Sequence, residues 1–140
     1  MEDRYDLKRF LDAQERDYKR ALKEIRNGHK QSHWIWYIFP QMKGLGYSHN
    51  SNYYGVSCIE EARAYLENET LGKRLYEICD ALLCLDTDDP YEVMGDIDAR
   101  KLCSSMTLFN EVRKDDIFKR VLDKYFRGNK DEATLKLLNK

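Results

Sequence analysis

Apolar residues in the first quarter of the chain recur at helical spacing. Leu7, Phe10, Leu11, Tyr18, Ala21, Leu22 and Ile25, with Gln14 in the same register, define one face, and Gly28 follows as a stop. The pattern predicts a helix from about Leu7 to Asn27. Its other face carries Lys19, Arg20, Lys23 and Arg26 interleaved with Asp12, Glu15, Asp17 and Glu24, which reads as solvated helix surface. The next segment, Ser32-His33-Trp34-Ile35-Trp36-Tyr37-Ile38-Phe39-Pro40-Gln41, holds both tryptophans and breaks this alternation. Six consecutive large apolar residues fit a buried strand as well as a buried helix. No other segment alternates apolar and polar residues convincingly, so a strand would lack a partner and a short helix ending at Pro40 is predicted. From Gln41 to Gly55 the chain turns to Gly, Ser, Asn and Tyr, the composition of a long irregular loop. Loops of that length within one domain are more often functional than idle.

Helical signals continue to the end. Ser57-Cys58-Ile59-Glu60 has capping-box spacing and predicts a helix to about Glu67. Thr70 is expected to cap the next, which runs to about Leu85 through Leu71, Leu75, Ile78 and Leu82. Asp89-Pro90-Tyr91-Glu92 offers a cap, a proline at the first helical position and a reciprocal glutamate, and Gly95 closes that short turn. Asp96 is expected to cap a helix to about Val112, Asp115 or Asp116 another that ends before Gly128, and Asp131 a last one carrying Leu135 and Leu138. The expected fold is all-α, a compact single-domain bundle of about seven helices over residues 1–140 with one long Gly/Ser/Asn/Tyr loop.

Composition narrows the function classes. A chain of 140 residues buries roughly two thirds of its unfolded surface without staples. Charged residues make up 35% and cancel to a net charge of -1, so the global basic field that drives binding to nucleic acid or anionic membranes is absent. The longest apolar run, Trp34 to Phe39, is far too short for a membrane span, and the opening residues are charged and unlike a signal. The expected location is therefore cytoplasmic, with the four cysteines, which form no C-x-x-C pair, as reduced thiols.

Candidate chemistry lies in two regions. His29 and His33 are four residues apart and His49 could join them, but without a His-Glu-x-x-His pattern this is a weak metal signal, and no metal or cofactor is expected. His33 beside two tryptophans fits either a hydrogen-bonded core histidine or an acid/base group. Gly44-Leu45-Gly46 can present backbone N–H groups to an anion. His49 stands where a dinucleotide fingerprint would need glycine. Asn50 to Tyr54 add donors and flat rings suited to a sugar or base. Further on, Asp98, Lys101 and Ser105 fall at i, i+3 and i+7 of one helix. They suit a Ser/Lys nucleophile pair, or a plain Lys101–Asp98 ion pair with Ser104 and Ser105 bonding back to carbonyls one turn earlier.

The elements Arg9-Phe10, Ala13-Gln14, Ser32-His33-Trp34 through Pro40-Gln41, Gly44-Leu45-Gly46 with Ser48 and Ser51, Tyr54-Gly55, Glu61-Ala62, Leu71-Gly72, Asp98, Lys101-Leu102 and Ser104 to Phe109 occur in this order along nearly the whole chain. In them the chain resembles Domain of Unknown Function family 1810, whose core reads His-Trp-x-Trp-x-Ile-Phe-Pro-Gln. The resemblance implies a mainly helical domain of this length and no reaction. His33 belongs to the family pattern and His29 does not. If these motifs converge, they form a pocket with His33 and Asp98 as catalytic candidates. Its ligand-binding candidates are Trp34, Trp36, Gln41, Gly44, Gly46, Ser48, Ser51, Tyr54, Lys101, Ser104 and Ser105. The expected function is binding of a small molecule, a nucleotide or phosphorylated sugar, with hydrolytic or glycosidic cleavage as its enzymic form. The alternative is a protein-interaction module that docks a partner through the tyrosine-rich loop.

Overall fold

Helix α1 (Lys8–Arg26) starts where Asp3 bends back to accept the backbone N–H groups of Leu7 at 2.7 Å and Lys8 at 2.9 Å, a cap that Leu7 itself cannot supply. It ends at Gly28, whose φ of +82° turns the chain out of the helix. The computed structural model describes residues 3–114 and 116–139. Among them nine helices follow one another: α1, α2 (Ile35–Ile38), α3 (His49–Tyr53), α4 (Ile59–Glu67), α5 (Glu69–Leu83), α6 (Pro90–Met94), α7 (Asp96–Val112), α8 (Ile117–Phe126) and α9 (Glu132–Leu138).

The all-α architecture is as expected, with nine helices in place of about seven. The aromatic run is the single helical turn α2. One unexpected turn, α3, lies inside the stretch read as an irregular loop, where Ser48 accepts the N–H of Ser51 at 3.1 Å. The base of that stretch is cinched by a lone parallel bridge between Met42 and Val56, in which Lys43 N–H donates to Val56 and Val56 N–H to Gln41, both at 2.8 Å. Caps shift by a residue or two. Asn68 replaces Thr70 as the cap of α5, accepting from Thr70 and Leu71. Gly95 precedes α7 and leaves Asp96 in the first turn. Glu61, and not Glu60, takes the Ser57 N–H at 3.0 Å. Asp116 caps α8. Asp115, the other candidate, lies outside the described residues.

Helices α4 and α5 meet at Asn68 alone, and the corner closes on Gly72. A Cβ there would stand 2.2 Å from the Leu66 carbonyl oxygen, so only glycine fits. The core centres on α7, which packs against α2, α4, α6, α8 and α9, while α1 packs against α2 and α5. Enclosure on so many sides explains why α7 buries Ser104, Ser105, Thr107 and Asn110 together with Leu102, Met106 and Phe109. No helix of the described residues is long and apolar enough to cross a membrane.

Candidate functional site

A polar stripe on α1 positions the aromatic run. Gln14, Asp17 and Glu24 lie in register with Phe10 and Ala21, so they face inward with the apolar residues. The Gln14 amide donates to the Tyr37 carbonyl at 2.7 Å and to the Tyr65 hydroxyl at 2.9 Å. Asp17 accepts the Tyr37 hydroxyl. Glu24, expected on the solvated face, is buried and accepts four hydrogen bonds. They come from Gln31 N–H at 2.8 Å, Ser32 N–H at 2.9 Å, the Ser32 hydroxyl at 2.6 Å and the Trp34 indole at 2.9 Å. Burial opposes ionisation, but the donors from Ser32, Gln31 and Trp34 outweigh it and hold the Glu24 carboxyl at about 2, well below the usual carboxylate range. Burial, reinforced by Asp17, likewise pushes the Tyr37 hydroxyl up.

Held in this way, the segment after α1 lies against the start of α7. Lys30 donates its backbone N–H to Val93 at 2.7 Å. Its side chain, only 5% exposed, reaches the Asp98 carboxylate at 2.7 Å, bonds the Ser32 carbonyl and lies 4.8 Å from the centre of the Trp34 ring. Asp98 is therefore paired with Lys30 and not with Lys101. The Lys101 ammonium instead sits 5.1 Å over the Trp36 ring and has no anionic partner among the described residues.

His33, Trp36, Asp98 and Lys101 line one open groove of about 480 Å³, completed by Ile35, Met94, Gly95, Asp96 and Ile97. His33 is exposed, and Ile97 forms an apolar rim with 70% of its surface accessible. Gly95 provides no side-chain cap for α7, and the first-turn carboxylates Asp96 and Asp98 complement the positive end of that helix. Trp36 also lines a second, small cavity of about 10 Å³, room for one water molecule, with Gln41, Met42, Leu45, Gly46, Asn50, Ser51, Tyr54 and Gly55. The buried Trp36 Nε1 has no hydrogen-bond partner in the described structure.

Of the expected site residues, His33, Trp36, Asp98 and Lys101 share the groove, and Trp36, Gln41, Gly46, Ser51 and Tyr54 share the small cavity. The others lie elsewhere. Trp34 is 1% exposed and its N–H is taken by Glu24. Gly44 faces Leu137 of α9, and Ser48 caps α3. Ser104 donates to the Arg100 carbonyl at 3.1 Å and to Asp131 at 3.0 Å, which ties α7 to the start of α9. Ser105 is fully buried and its hydroxyl has no partner, so it neither bonds back to a carbonyl nor meets Lys101. Among the described residues no cluster of three or more His, Cys, Asp or Glu could hold a metal ion.

Sequence reasoning missed Lys30 and Glu24. Nothing in the spacing marked Lys30, which sits between a helix stop and the aromatic run. Glu24 carried a signal, since its register with Phe10, Gln14 and Ala21 placed a carboxylate on an apolar stripe.

A family model described as "Protein of unknown function (DUF1810)" matches residues 4–138. Among solved structures, the conserved hypothetical protein Rv1873 from Mycobacterium tuberculosis is similar, with 42% sequence identity, a TM-score of 0.96 and 99% of each chain covered. No curated protein matches the sequence.

Proposed function

The chain belongs to the DUF1810 family, which names no activity, and from the chemistry of the groove we propose that it binds a small anionic molecule, a nucleotide or a phosphorylated sugar. One observation carries this reading: His33 from the loop before α2, Trp36, and Asp98 and Lys101 from α7 line a single open groove of about 480 Å³. That volume lies within the range of small-molecule sites. Asp98 is already neutralised by Lys30, so Lys101 is the cation left to meet a phosphate, and Ile35, Met94 and Ile97 offer an apolar wall to the ligand's body. In the enzymic form of the reading, His33 and Asp98 act as general acid and base in hydrolytic or glycosidic cleavage.

A thermal-melt screen against nucleotides and sugar phosphates tests the proposal. A ligand at a hundred times its dissociation constant adds about 2.7 kcal/mol, a rise on the order of 5–10 °C for a domain of this size. The rise should vanish in Lys101→Ala, which itself loses only a ring contact and should stay within about 1 kcal/mol of the parent. If no compound raises the melting temperature, the docking reading takes over. It rests on Tyr47, 96% exposed, and Tyr53, 47% exposed, in the tyrosine-rich loop.

A further inference from the structure

Lys30 does not line the groove, yet it is the residue that fixes the groove's acceptor. Its nearly buried ammonium lies 2.7 Å from Oδ2 of Asp98, whose side chain remains 20% exposed and lines the groove. The ammonium cannot swing away freely. It is bonded to the Ser32 carbonyl, packed over the Trp34 ring, and its backbone is tied to Val93, while Ser32 and Trp34 are both held by Glu24. A carboxylate held in this way by one oxygen presents the other in a fixed direction, as an acceptor only. Lys101, one turn further along α7, is the cation on the same wall.

We propose that Lys30 is a positioning residue for ligand specificity: by holding Asp98 it makes the groove read a hydroxyl of the ligand beside the anionic group met by Lys101, so that a phosphorylated sugar is preferred over bare phosphate. The inference rests on the ligand class proposed above and narrows it to molecules that carry both a hydroxyl donor and a phosphate-like group. A site built to accept a hydroxyl hydrogen bond on a charged oxygen discriminates against a ligand without one by about tenfold or more.

Titration calorimetry of the full chain with ribose 5-phosphate, glucose 6-phosphate and inorganic phosphate tests it. The unmodified protein should bind at least one sugar phosphate about tenfold more tightly than inorganic phosphate. Lys30→Met should bring the two within about twofold of each other, with both weakened by the unpaired Asp98 carboxylate, and Lys30→Arg, which restores the ion pair, should recover the preference. Should Lys30→Met fail to fold, Asp98→Asn, which removes the anionic acceptor and keeps the side-chain shape, should abolish the preference in its place. The proposal is overturned if the unmodified protein binds sugar phosphates no better than phosphate, or if the preference survives in Lys30→Met or Asp98→Asn. Absence of binding by all three probes would overturn this proposal too, and the ligand-site reading itself falls only if the nucleotides of the melt screen fail as well.

Discussion

The Glu24 carboxylate accepts the Trp34 indole N–H at 2.9 Å inside the protein, joining α1 to the aromatic run across ten residues of sequence. Together with the bonds from Gln31 and Ser32 it fixes the segment that carries Lys30 and His33 to the groove.

This carboxylate makes stability depend on acid. Its folded-state value of about 2 lies below the ordinary 4.5, so its contribution is fully present above about pH 4.5 and is lost as the pH falls toward 2. The shift corresponds to about 3 kcal/mol at most. Glu24→Gln should lower stability by about 2–4 kcal/mol near neutrality, and the gap to the parent should narrow on acidification. Urea unfolding followed from neutral pH down to about pH 2.5 measures both curves, and a gap that does not change with pH would refute the assignment.

Arg9 is a second buried hub. Its guanidinium donates to the carbonyls of Tyr5, Asp6, Tyr53 and Gly55 and to Glu61 at 2.7 Å, and it lies 4.3 Å over the Phe10 ring. Both side chains of the ion pair are less than a tenth exposed, at 7% and 3%. Arg9→Met leaves Glu61 buried and unpaired and should cost about 3–5 kcal/mol, whereas Arg9→Met with Glu61→Gln should recover part of that loss. Chemical denaturation of the single and double variants gives the coupling.

Adjacent serines on α7 should behave oppositely. Ser104→Ala removes the bonds to Arg100 and Asp131 and should destabilise by about 1–2 kcal/mol. Ser105→Ala removes a buried hydroxyl that has no partner, and should be neutral or stabilising by up to about 1 kcal/mol. Calorimetric melts of the pair would contradict the described bonding if Ser105→Ala proved the more damaging.

Gly72 and Gly28 separate packing from backbone conformation. Alanine at Gly72 drives its Cβ onto the Leu66 carbonyl and should destabilise by about 3 kcal/mol or more. At Gly28 there is open space around the Cβ position, so alanine pays only for the φ of +82°, about 1–2 kcal/mol. Comparable losses at the two positions, measured by denaturant midpoints, would contradict the close approach of α4 and α5.

Helix class and most boundaries were legible because periodicity and capping are local. The aromatic run could be assigned to a helix by the lack of a partner strand, and α2 is indeed one helical turn. The turn α3 was not legible, since its five residues have no apolar stripe and none is buried. Asn68 displaced Thr70 as a cap because the chain changes direction at one residue, which a linear pattern does not reveal. The groove was half legible: His33, Trp36, Asp98 and Lys101 were singled out by residue type. Their mutual arrangement depends on Glu24, whose register on the apolar stripe was the one signal available, and on Lys30, whose partner Asp98 lies far along the chain and leaves no spacing to detect. Ser104 and Ser105 looked functional because a polar helix face suggests a site. On a helix surrounded by five others it is interior instead, and polar residues there serve packing and inter-helix bonds.

The two tryptophans differ in their surroundings, one buried and one partly exposed. Trp34 is sealed between an anion and a cation at 1% exposure, while Trp36 stands at the groove wall beneath Lys101. A neutral quencher dissolved in the buffer will therefore reach one indole long before the other. The resulting biphasic emission makes the chain its own optical gauge of whether the groove is covered, with an internal reference that dims only when the fold itself opens.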